Sequence, residues 1–273
     1  MLSEMAVQPQ TWGGGFPGAP LIREVAAVTE SEVRKLLHDP IEMLSRVVQP
    51  AIWILIFAPV FSKLHGIPTG GIRYLDFIVP GILAQGVLFV SVIYGVGLLW
   101  ERDTGILQKY LVSPASRRAL VMGKSLAAGV RNAPQVLVIY LLAALASAKI
   151  RWNPLLILAA LGLVIIGSAL FCTLSMIVAC VVKSRERFLG ANQLLMLPLF
   201  FASNALYPVA MMPAWLRWIS NINPLSYLVD ALRTVMLPGA HSLHGVWVDV
   251  LVEVPLLIVL TEISAWLYPR VEY

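Results

Sequence analysis

The chain has 273 residues, of which 59% are apolar and 13% are charged, and its mean hydropathy is +0.81. Soluble domains average about 45–50% apolar and about 25% charged residues, so this composition excludes a soluble domain and indicates an integral membrane protein without room for a second globular domain. The formal charge of +5 comes from basic residues that flank apolar stretches, which indicates membrane orientation rather than nucleic-acid binding.

The first two elements precede the membrane. Residues 1–20 are rich in glycine and predict a flexible arm; the glycines between Gly13 and Gly18 match GxGxxG, but no predicted strand precedes them, which argues against a dinucleotide site. Residues 21–38 place apolar side chains at helical spacing. They predict an amphipathic helix in the membrane interface, with a partner-binding helix as the alternative. Residues 21–273 are predicted to form a single transmembrane domain.

Six stretches with few or no charges predict six transmembrane helices. They lie at about 46–64, 76–100, 125–148, 154–182, 190–212 and 246–268. The sixth stretch contains Asp249, Glu253, Glu262 and Pro255, so hydropathy supports it less strongly than the other five. Most lysines and arginines outside the spans lie on the side that holds both termini, which predicts cytoplasmic termini.

A polar, basic segment from Glu101 to Lys124 separates the second and third spans. Within it, a turn at 103–105 is followed by apolar residues at helical spacing, and this short helix stops at Ser113-Pro114. A helix of this length is unstable alone and needs a partner surface. That surface is either the bilayer or a groove on another protein; the alternative interpretation is a basic loop that only fixes topology.

No energy-converting or metal motif is intact. The Gly-Lys-Ser sequence at 123–125 resembles the end of a P-loop, but the first glycine of that motif is missing and the segment leads into a span. The chain is therefore expected to be a non-enzyme. His241 and His244 are interpreted as a solvated loop pair rather than metal ligands, and Cys172 and Cys180, eight residues apart in one apolar stretch, as core residues.

Polar side chains inside the predicted spans are costly in lipid and are expected to point inward. The candidates for a substrate pathway or a dimer interface are Gln85, Asn192, Gln193, Ser203, Asn204, Tyr207 and Glu262. The alternative is hydrogen bonding between helices, which polar residues in membrane proteins also provide.

Short helices are predicted before the last span. Two tryptophans, at 215 and 218, suit the outer interface, and Asn-Pro at 223–224 predicts a helix start with asparagine as the N-cap. The residues assigned to this outer-interface helix are Asn223, Pro224, Tyr227, Asp230 and Arg233. Asp230 and Arg233, three residues apart, are predicted to form a local pair, which contributes only about tenths of a kcal/mol if it is exposed.

Two motifs resemble a known family. The first begins Glu-Arg-Asp-Thr-Gly at Glu101 and continues through Leu-Val-Ser-Pro to Gly-Lys at Lys124; the second is Asn-Pro-Leu-Ser-Tyr-Leu-Val-Asp-Ala-Leu-Arg at 223–233. In this order they resemble the ABC type-2 export permeases, and most nearly the daunorubicin-resistance type. The resemblance extends over about Leu21 to Tyr268, and Ile106 and Gln108 depart from the residues common at those positions.

The resemblance implies an all-α fold with an N-terminal elbow helix, six spans, a cytoplasmic coupling helix at about Thr104–Ser113 and short outer-interface helices. The residues that it assigns to coupling are Glu101, Arg102, Asp103, Gly105, Leu107, Tyr110, Leu111, Ser113 and Pro114. It also implies a homodimer or heterodimer of permeases with two separate cassette subunits that bind ATP and magnesium, so this chain needs no cofactor of its own.

The function implied is export of an amphipathic drug, lipid, glycolipid or polysaccharide across the cytoplasmic membrane of a prokaryote. The leading alternative is an ion- or proton-coupled secondary transporter that uses Glu253 and Glu262, although the chain has no convincing internal repeat of the kind that such transporters contain. A membrane scaffold that transports nothing leaves the Glu101–Lys124 segment unexplained.

Overall fold

The computed structural model describes residues 21–36, 48–62, 71–111, 116–182, 184–240, 242–243 and 245–271, and these residues form helices and turns without strands. The all-α prediction is confirmed for this part of the chain. Three helical stretches, Tyr74–Asp103, Arg117–Leu145 and Pro154–Val182, are long and apolar enough to cross a membrane. The predicted N-terminal arm and both histidines of the last loop lie outside the described residues.

The described helices are numbered in chain order. They are α1 (Leu21–Leu36), α2 (Val48–Ser62), α3 (Tyr74–Tyr94), α4 (Gly97–Asp103), α5 (Ile106–Leu111), α6 (Arg117–Leu145), α7 (Pro154–Val182), α8 (Arg185–Phe201), α9 (Ala214–Ile222), α10 (Pro224–Met236) and α11 (Val246–Leu267). Helix α2 contains a π-helical stretch at Ile52–Phe57, and short 3-10 helices lie at Val209–Met211 and Tyr268–Val271.

Helix α7 is the centre of the molecule. It has no charged residue and packs against α3, α6, α8, α10 and α11. Small residues allow these close approaches: a Cβ atom added at Gly167 would lie 2.6 Å from the side chain of Leu228 on α10. The apolar core has two parts, a larger one between α3, α6, α7 and α10 and a smaller one around the junction of α4, α5, α6 and α7.

Helix α1 packs along the first turns of α6. Val28 covers Gly123, where an added Cβ atom would lie 2.5 Å from the valine side chain, and the hydroxyl of Thr29 donates to the carbonyl oxygen of Gly123 at 3.2 Å. The opposite side of α1 exposes Ile22, so the helix is amphipathic as predicted. It is described to Leu36, and the predicted residues 37 and 38 lie beyond the part of the chain that the structure describes.

Several predicted spans begin or end elsewhere. The second predicted span is interrupted by a turn at Gly95–Val96, so α3 and α4 are separate helices, and α6 starts at Arg117, eight residues before the predicted third span. A hydropathy profile places the start of this span too late because basic residues fill the first turns of α6, although those turns are helical. The fourth predicted span coincides with α7, and the sixth matches α11 followed by a 3-10 turn.

The predicted fifth span, 190–212, is wrong at its second half. Helix α8 ends at Phe201, and residues 202–208 are non-helical although most of them are buried. Buried irregular backbone requires internal hydrogen-bond partners, and side chains provide them here. The hydroxyl of Tyr74 donates to the carbonyl oxygen of Leu206 at 3.1 Å, and Arg233 donates to that of Asn204 at 2.8 Å. A hydropathy profile does not detect such a break.

This irregular segment also lies directly against α3. A Cβ atom added at Gly81 would lie 2.2 Å from the carbonyl oxygen of Ala205, so a glycine is needed for the approach. On the same side of the molecule, Asp76 accepts from Arg73 at 2.9 Å and from the backbone N–H of Lys149 at 2.7 Å, which ties the start of α3 to the turn after α6. The hydrogen bond from Arg73 to the Asp76 carboxylate raises the pKa of Arg73 above its usual value.

The helix predicted for the outer interface, α10, is largely buried within the chain. Ten of the thirteen residues of α10 are buried, because this helix packs against α3, α7 and α11. Its predicted start is confirmed: the side chain of Asn223 accepts from the backbone N–H of Leu225 at 3.0 Å, and Pro224 is the first helical residue. Helix α9 is the exposed amphipathic element, with Trp215, Trp218 and Ile222 on its surface.

Candidate functional site

Helices α4 and α5 and the turn between them, residues 97–111, form a short hairpin that we call the hook. The turn at Thr104–Gly105 is where the sequence predicted it, and Gly105 has a φ of +72°, a conformation that favours glycine. The threonine hydroxyl donates to the carbonyl oxygen of Trp100 at 2.8 Å and closes the end of α4. The hook is therefore an ordered structure rather than an unstructured basic loop.

Lys124 of α6 holds the hook in place. Its ammonium group makes an ion pair with Glu101 of α4 and lies 5.0 Å from the ring centre of Tyr110 on α5. Lys124 is buried and Glu101 is largely so, with 6% and 12% of their side-chain surface exposed. A buried ion pair depends on good geometry because both charges have left water. One lysine thus joins both arms of the hook to the start of α6.

A second charged cluster ties the hook to α8. Arg185 makes an ion pair with Asp103 at 2.8 Å, and its guanidinium carbon lies 3.8 Å from the ring centre of Trp100. Arg102 contacts the same carboxylate, also at 2.8 Å. Arginine over a tryptophan ring is a favourable cation–π arrangement. The end of α4 is consequently fixed to the first turn of α8.

Helix α1 contacts the same region from its other side. The carboxylate of Glu24 accepts from the backbone N–H and the hydroxyl of Ser116, at 3.0 and 2.8 Å, and Ser116 is the N-cap of α6. Farther along α1, Glu32 accepts from the hydroxyl of Tyr94 at 2.7 Å. Helix α1 is thus attached to the segment that directly follows the hook and to the end of α3.

The two faces of α5 differ. Leu107 is 1% exposed and belongs to the smaller apolar core, whereas Ile106 is 39% exposed, and Gln108 and Lys109 are also exposed. Among the predicted coupling residues, Ser113 and Pro114 lie outside the described residues, as does the side chain of Leu111. Leu107 is buried against its own chain and Glu101 is largely so, and the coupling role of both residues remains a prediction.

The predicted pathway residues are distributed over several places. Gln85 is buried in α3, Asn192 is buried in α8 with its amide 3.5 Å from the hydroxyl of Ser175, and Gln193 is exposed. Ser203, Asn204 and Tyr207 lie in the irregular segment rather than in a span, and the first two are buried there. Their role in a pathway remains a prediction.

The carboxylates of α11 occupy different environments. Glu262 makes an ion pair with Arg118 of α6 at 2.8 Å, and both side chains are largely exposed. Glu253 and Asp249 are buried one helical turn apart, and Asp249 accepts from the hydroxyl of Ser242 at 2.9 Å. Because an α-helix rises about 1.5 Å per residue, Glu253 and Glu262 lie about 13 Å apart along the axis and do not form one site.

The residues assigned to the outer-interface helix have structural partners within the chain. Asp230 accepts from the hydroxyl of Ser242 and the backbone N–H of Leu243, at 2.8 and 2.7 Å. The guanidinium of Arg233 lies 3.8 Å from the ring centre of Phe77. Both side chains are buried, and the hydrogen bonds described for them are made to other residues rather than to each other.

Sequence reasoning missed Lys124, Arg185 and Glu32 as contacts of this region. A signal was present for Lys124, since a charged residue among the apolar positions of a helix suggests a buried partner. The sequence predicted Lys124 as the end of the polar segment and of the family motif that begin at Glu101, but not as the ion-pair partner of Glu101. Arg185 and Glu32 had no comparable signal, because their partners are distant in the sequence.

Comparisons with known proteins match the chain to one family and to several individual proteins. Residues 23–237 match the family described as ABC-2 type transporter. The chain is 30% identical over 216 residues to the ycf38 transport permease of Cyanophora paradoxa, covering 78% of this chain and 73% of that protein. It is 25% identical over 210 residues to the daunorubicin resistance ABC transporter permease protein DrrB1 of Streptomyces coeruleorubidus, covering 77% and 72%. Nodulation protein J of Rhizobium leguminosarum bv. trifolii is 24% identical over 197 residues, covering 71% and 74%.

Proposed function

The chain belongs to the ABC-2 type transporter family as a membrane permease, and from this we propose that it is the membrane subunit of an ATP-driven exporter. In this proposal two copies, or one copy and a similar permease, pair with two cassette ATPase subunits that bind ATP and magnesium. The cargo is an amphipathic drug, lipid, glycolipid or polysaccharide, and the relative named for daunorubicin resistance supports a drug or another amphiphile.

We further propose a topology with six spans, formed by α2, α3 with α4, α6, α7, α8 and α11. The basic residues of the hook, of the start of α6 and of the start of α8 then face the cytoplasm together with both termini, in agreement with the positive-inside rule. The membrane is the cytoplasmic membrane of a prokaryote. Helix α9, with its exposed tryptophans, lies in the opposite interface, where amphipathic aromatic side chains are common.

The main structural observation that supports this proposal is the hook. It is ordered, it is tied to α6 and α8 by charged contacts, and it still presents Ile106 and Lys109 outward. An exposed apolar residue beside a cation suits a groove on a partner protein. A partner that displaces α5 acts on Lys124 and hence on α6, so the hook can pass movement from a cytoplasmic motor to the spans.

The test is substitution of the exposed face of the hook. We expect Ile106→Asp to weaken binding of the cassette ATPase by about 5- to 150-fold, because the new carboxylate loses water in the interface at a cost of about 1–3 kcal/mol. Leu243→Asp is the matched control, since Leu243 is 63% exposed in the segment before α11. Binding is measured by titration of purified permease in lipid nanodiscs with the labelled ATPase.

Export is then followed in proteoliposomes that contain both subunits and ATP. The expected result is that Ile106→Asp inserts normally and loses export, while Leu243→Asp keeps it. Full ATPase binding and undiminished export by Ile106→Asp would contradict a coupling role for the hook. ATP hydrolysis by the purified permease alone, with contaminants excluded, would contradict the need for a separate motor.

One observation favours a second candidate, a proton-coupled secondary transporter. Glu253 is 1% exposed in α11 beside Asp249, and buried carboxylates within membrane spans often mark proton pathways. The ion pair of Glu262 with Arg118 at the end of the same helix suits a structural role better than a proton relay. The energy source separates the two candidates, since only the exporter requires ATP and a partner.

A further inference from the structure

A cavity of about 510 Å³ lies between α2, the start of α3, the irregular segment that follows α8 and the start of α9. Its size falls within the range of about 300–1,000 Å³ that is typical of small-molecule sites. Much of its lining is aromatic: Trp53, Phe57, Phe61, Tyr74 and Tyr207. None of the described residues that line the cavity is charged. Its walls therefore favour an apolar, uncharged part of a ligand.

The backbone departs from regular α-helix on two sides of this cavity. Trp53 and Phe57 lie on the π-helical stretch of α2, and such stretches are rare and frequently occur at functional sites. On another side, Leu206 and Tyr207 belong to the irregular segment. Irregular backbone at membrane depth is tolerated where it is buried in protein or lines a cavity. Two such irregularities at one cavity indicate a binding site rather than a packing defect.

The aromatic side chains form a row from α2 to α3. The distances between successive ring centres are 4.8 Å for Trp53 and Phe57, 6.3 Å for Phe57 and Phe61, and 5.9 Å for Phe61 and Tyr74. All three distances fall within the range of about 4.5–7 Å that is favourable for ring pairs. Phe57 is 41% exposed, so its neighbours leave part of its ring uncovered. A flat ring system that enters the cavity can therefore stack on this row.

The tyrosine hydroxyl groups of the lining are used within the chain. The hydroxyl of Tyr74 donates to the carbonyl oxygen of Leu206 at 3.1 Å, and that of Tyr207 donates to the carbonyl oxygen of Phe201. Neither hydrogen is available to a sugar, which needs several hydrogen bonds to replace those with water. The thioether of Met211 also lines the cavity, and sulfur makes favourable contacts with aromatic rings. The lining therefore suits an aromatic ligand better than a sugar.

We propose that this cavity binds the flat aromatic ring system of an amphiphile, which stacks on Trp53 and Phe57. Aromatic pairs are more favourable than their buried area alone accounts for, so an aromatic ligand is preferred over a saturated one of the same size. Assignment of this ligand as the cargo rests on the proposed export function, whereas the binding itself does not. In the proposed topology the cavity lies beside α9, on the side opposite to the hook.

The binding test uses the full chain in phosphatidylcholine nanodiscs, with empty nanodiscs to correct for partition into the lipid. Three probes have the same number of carbon atoms: phenanthrene is flat and aromatic, perhydrophenanthrene has the same skeleton without aromatic rings, and tetradecane resembles an acyl chain. We expect saturable binding of one phenanthrene per chain. Its affinity should be about fivefold or more higher than that of either saturated probe, as one or two ring contacts provide.

Matched variants locate the contacts. Trp53→Leu and Phe57→Leu keep an apolar side chain but remove a ring, so each is expected to remove most of the preference for phenanthrene. Trp53→Phe keeps a ring and should retain that preference. Trp247→Leu is the control, because Trp247 is 83% exposed on α11 and lies outside the lining, so this variant should bind like the wild-type chain.

The wild-type chain alone can overturn the proposal. Equal affinity for phenanthrene and perhydrophenanthrene would do so, because ring stacking would then contribute nothing. Tighter binding of tetradecane would indicate an acyl-chain site instead, and displacement of phenanthrene by maltotetraose would indicate a sugar site. The absence of saturable binding of phenanthrene would also overturn it.

The variants and an export assay separate the remaining outcomes. A preference for phenanthrene that both leucine variants retain would overturn the proposal, since the ring system would then bind elsewhere. The binding assay needs neither ATP nor a partner subunit. Selective binding that the leucine variants remove, without ATP-dependent export of phenanthrene from proteoliposomes, would therefore support this site while contradicting its assignment to cargo.

Discussion

Lys124→Met is expected to destabilise the isolated permease strongly. The side chains of Lys124 and Glu101 are 6% and 12% exposed, so the substitution leaves a largely buried carboxylate without its cation. Breaking such a pair costs about 3–5 kcal/mol. In chains of about 150–250 residues each kcal/mol lowers the unfolding temperature by about 2–4 °C, which gives a decrease of about 6–20 °C.

Two further variants serve as controls for this expectation. Arg118→Gln breaks the ion pair with Glu262, whose side chains are 62% and 48% exposed, and an exposed pair contributes about 0–1 kcal/mol, so the unfolding temperature should fall by less than about 4 °C. The double variant Lys124→Met with Glu101→Met removes both charges of the buried pair. It should therefore be more stable than the Lys124→Met single variant, because no buried charge remains.

The measurement is thermal unfolding of each purified variant in one detergent, followed by intrinsic tryptophan fluorescence. Equal, small decreases of the unfolding temperature for Lys124→Met and Arg118→Gln would refute the reasoning, since burial of the ion pair would then make no difference to stability. A double variant that is less stable than the Lys124→Met single variant would also refute it, because the charge left behind could not be the cause. The same samples, titrated with the ATPase, separate loss of stability from loss of partner binding.

Three further outcomes are expected. Asn223→Ala should lower the free energy of unfolding by about 1–2 kcal/mol, since it removes the N-cap of α10 and the donor to a carbonyl oxygen of α8, as thermal unfolding will measure. Gly81→Ala should reduce the yield of folded protein, because its Cβ atom would lie 2.2 Å from backbone, whereas Gly190→Ala, with open space around it, should not. Glu253→Gln and Glu262→Gln should retain ATP-driven export in proteoliposomes after the proton gradient is collapsed; export that follows the gradient without ATP would support the secondary transporter.

Hydropathy and local motifs predicted much of the fold. The helix over Leu21–Leu36, the span at Pro154–Val182 and the start of α10 at Asn223 appear as expected, because each depends on periodicity, length or capping within a few residues. The turn at Thr104–Gly105 was predicted for the same reason. Family membership was predicted from two short motifs, and the family match over residues 23–237 confirms it.

The incorrect predictions concern parts of the chain whose structure depends on contacts between residues that are distant in the sequence. The end of α8 and the irregular segment after it depend on Tyr74 and Arg233, which reach the buried carbonyl groups from other helices. Burial of α10 depends on three neighbouring helices, and an amphipathic pattern alone does not distinguish a lipid interface from a protein interior. The ion pair of Glu101 with Lys124 spans 23 residues, so no local pattern indicated it.

Lys124 lies where a movement of α1 or of the hook would reach α6. Helix α5 has few contacts other than those with α4, so the hook can shift without disrupting the main apolar core around α7. Lys124 contacts both arms of the hook, and Thr29 of α1 donates to the carbonyl oxygen of Gly123, the residue before it. A force on either α1 or α5 therefore reaches the same turn of α6.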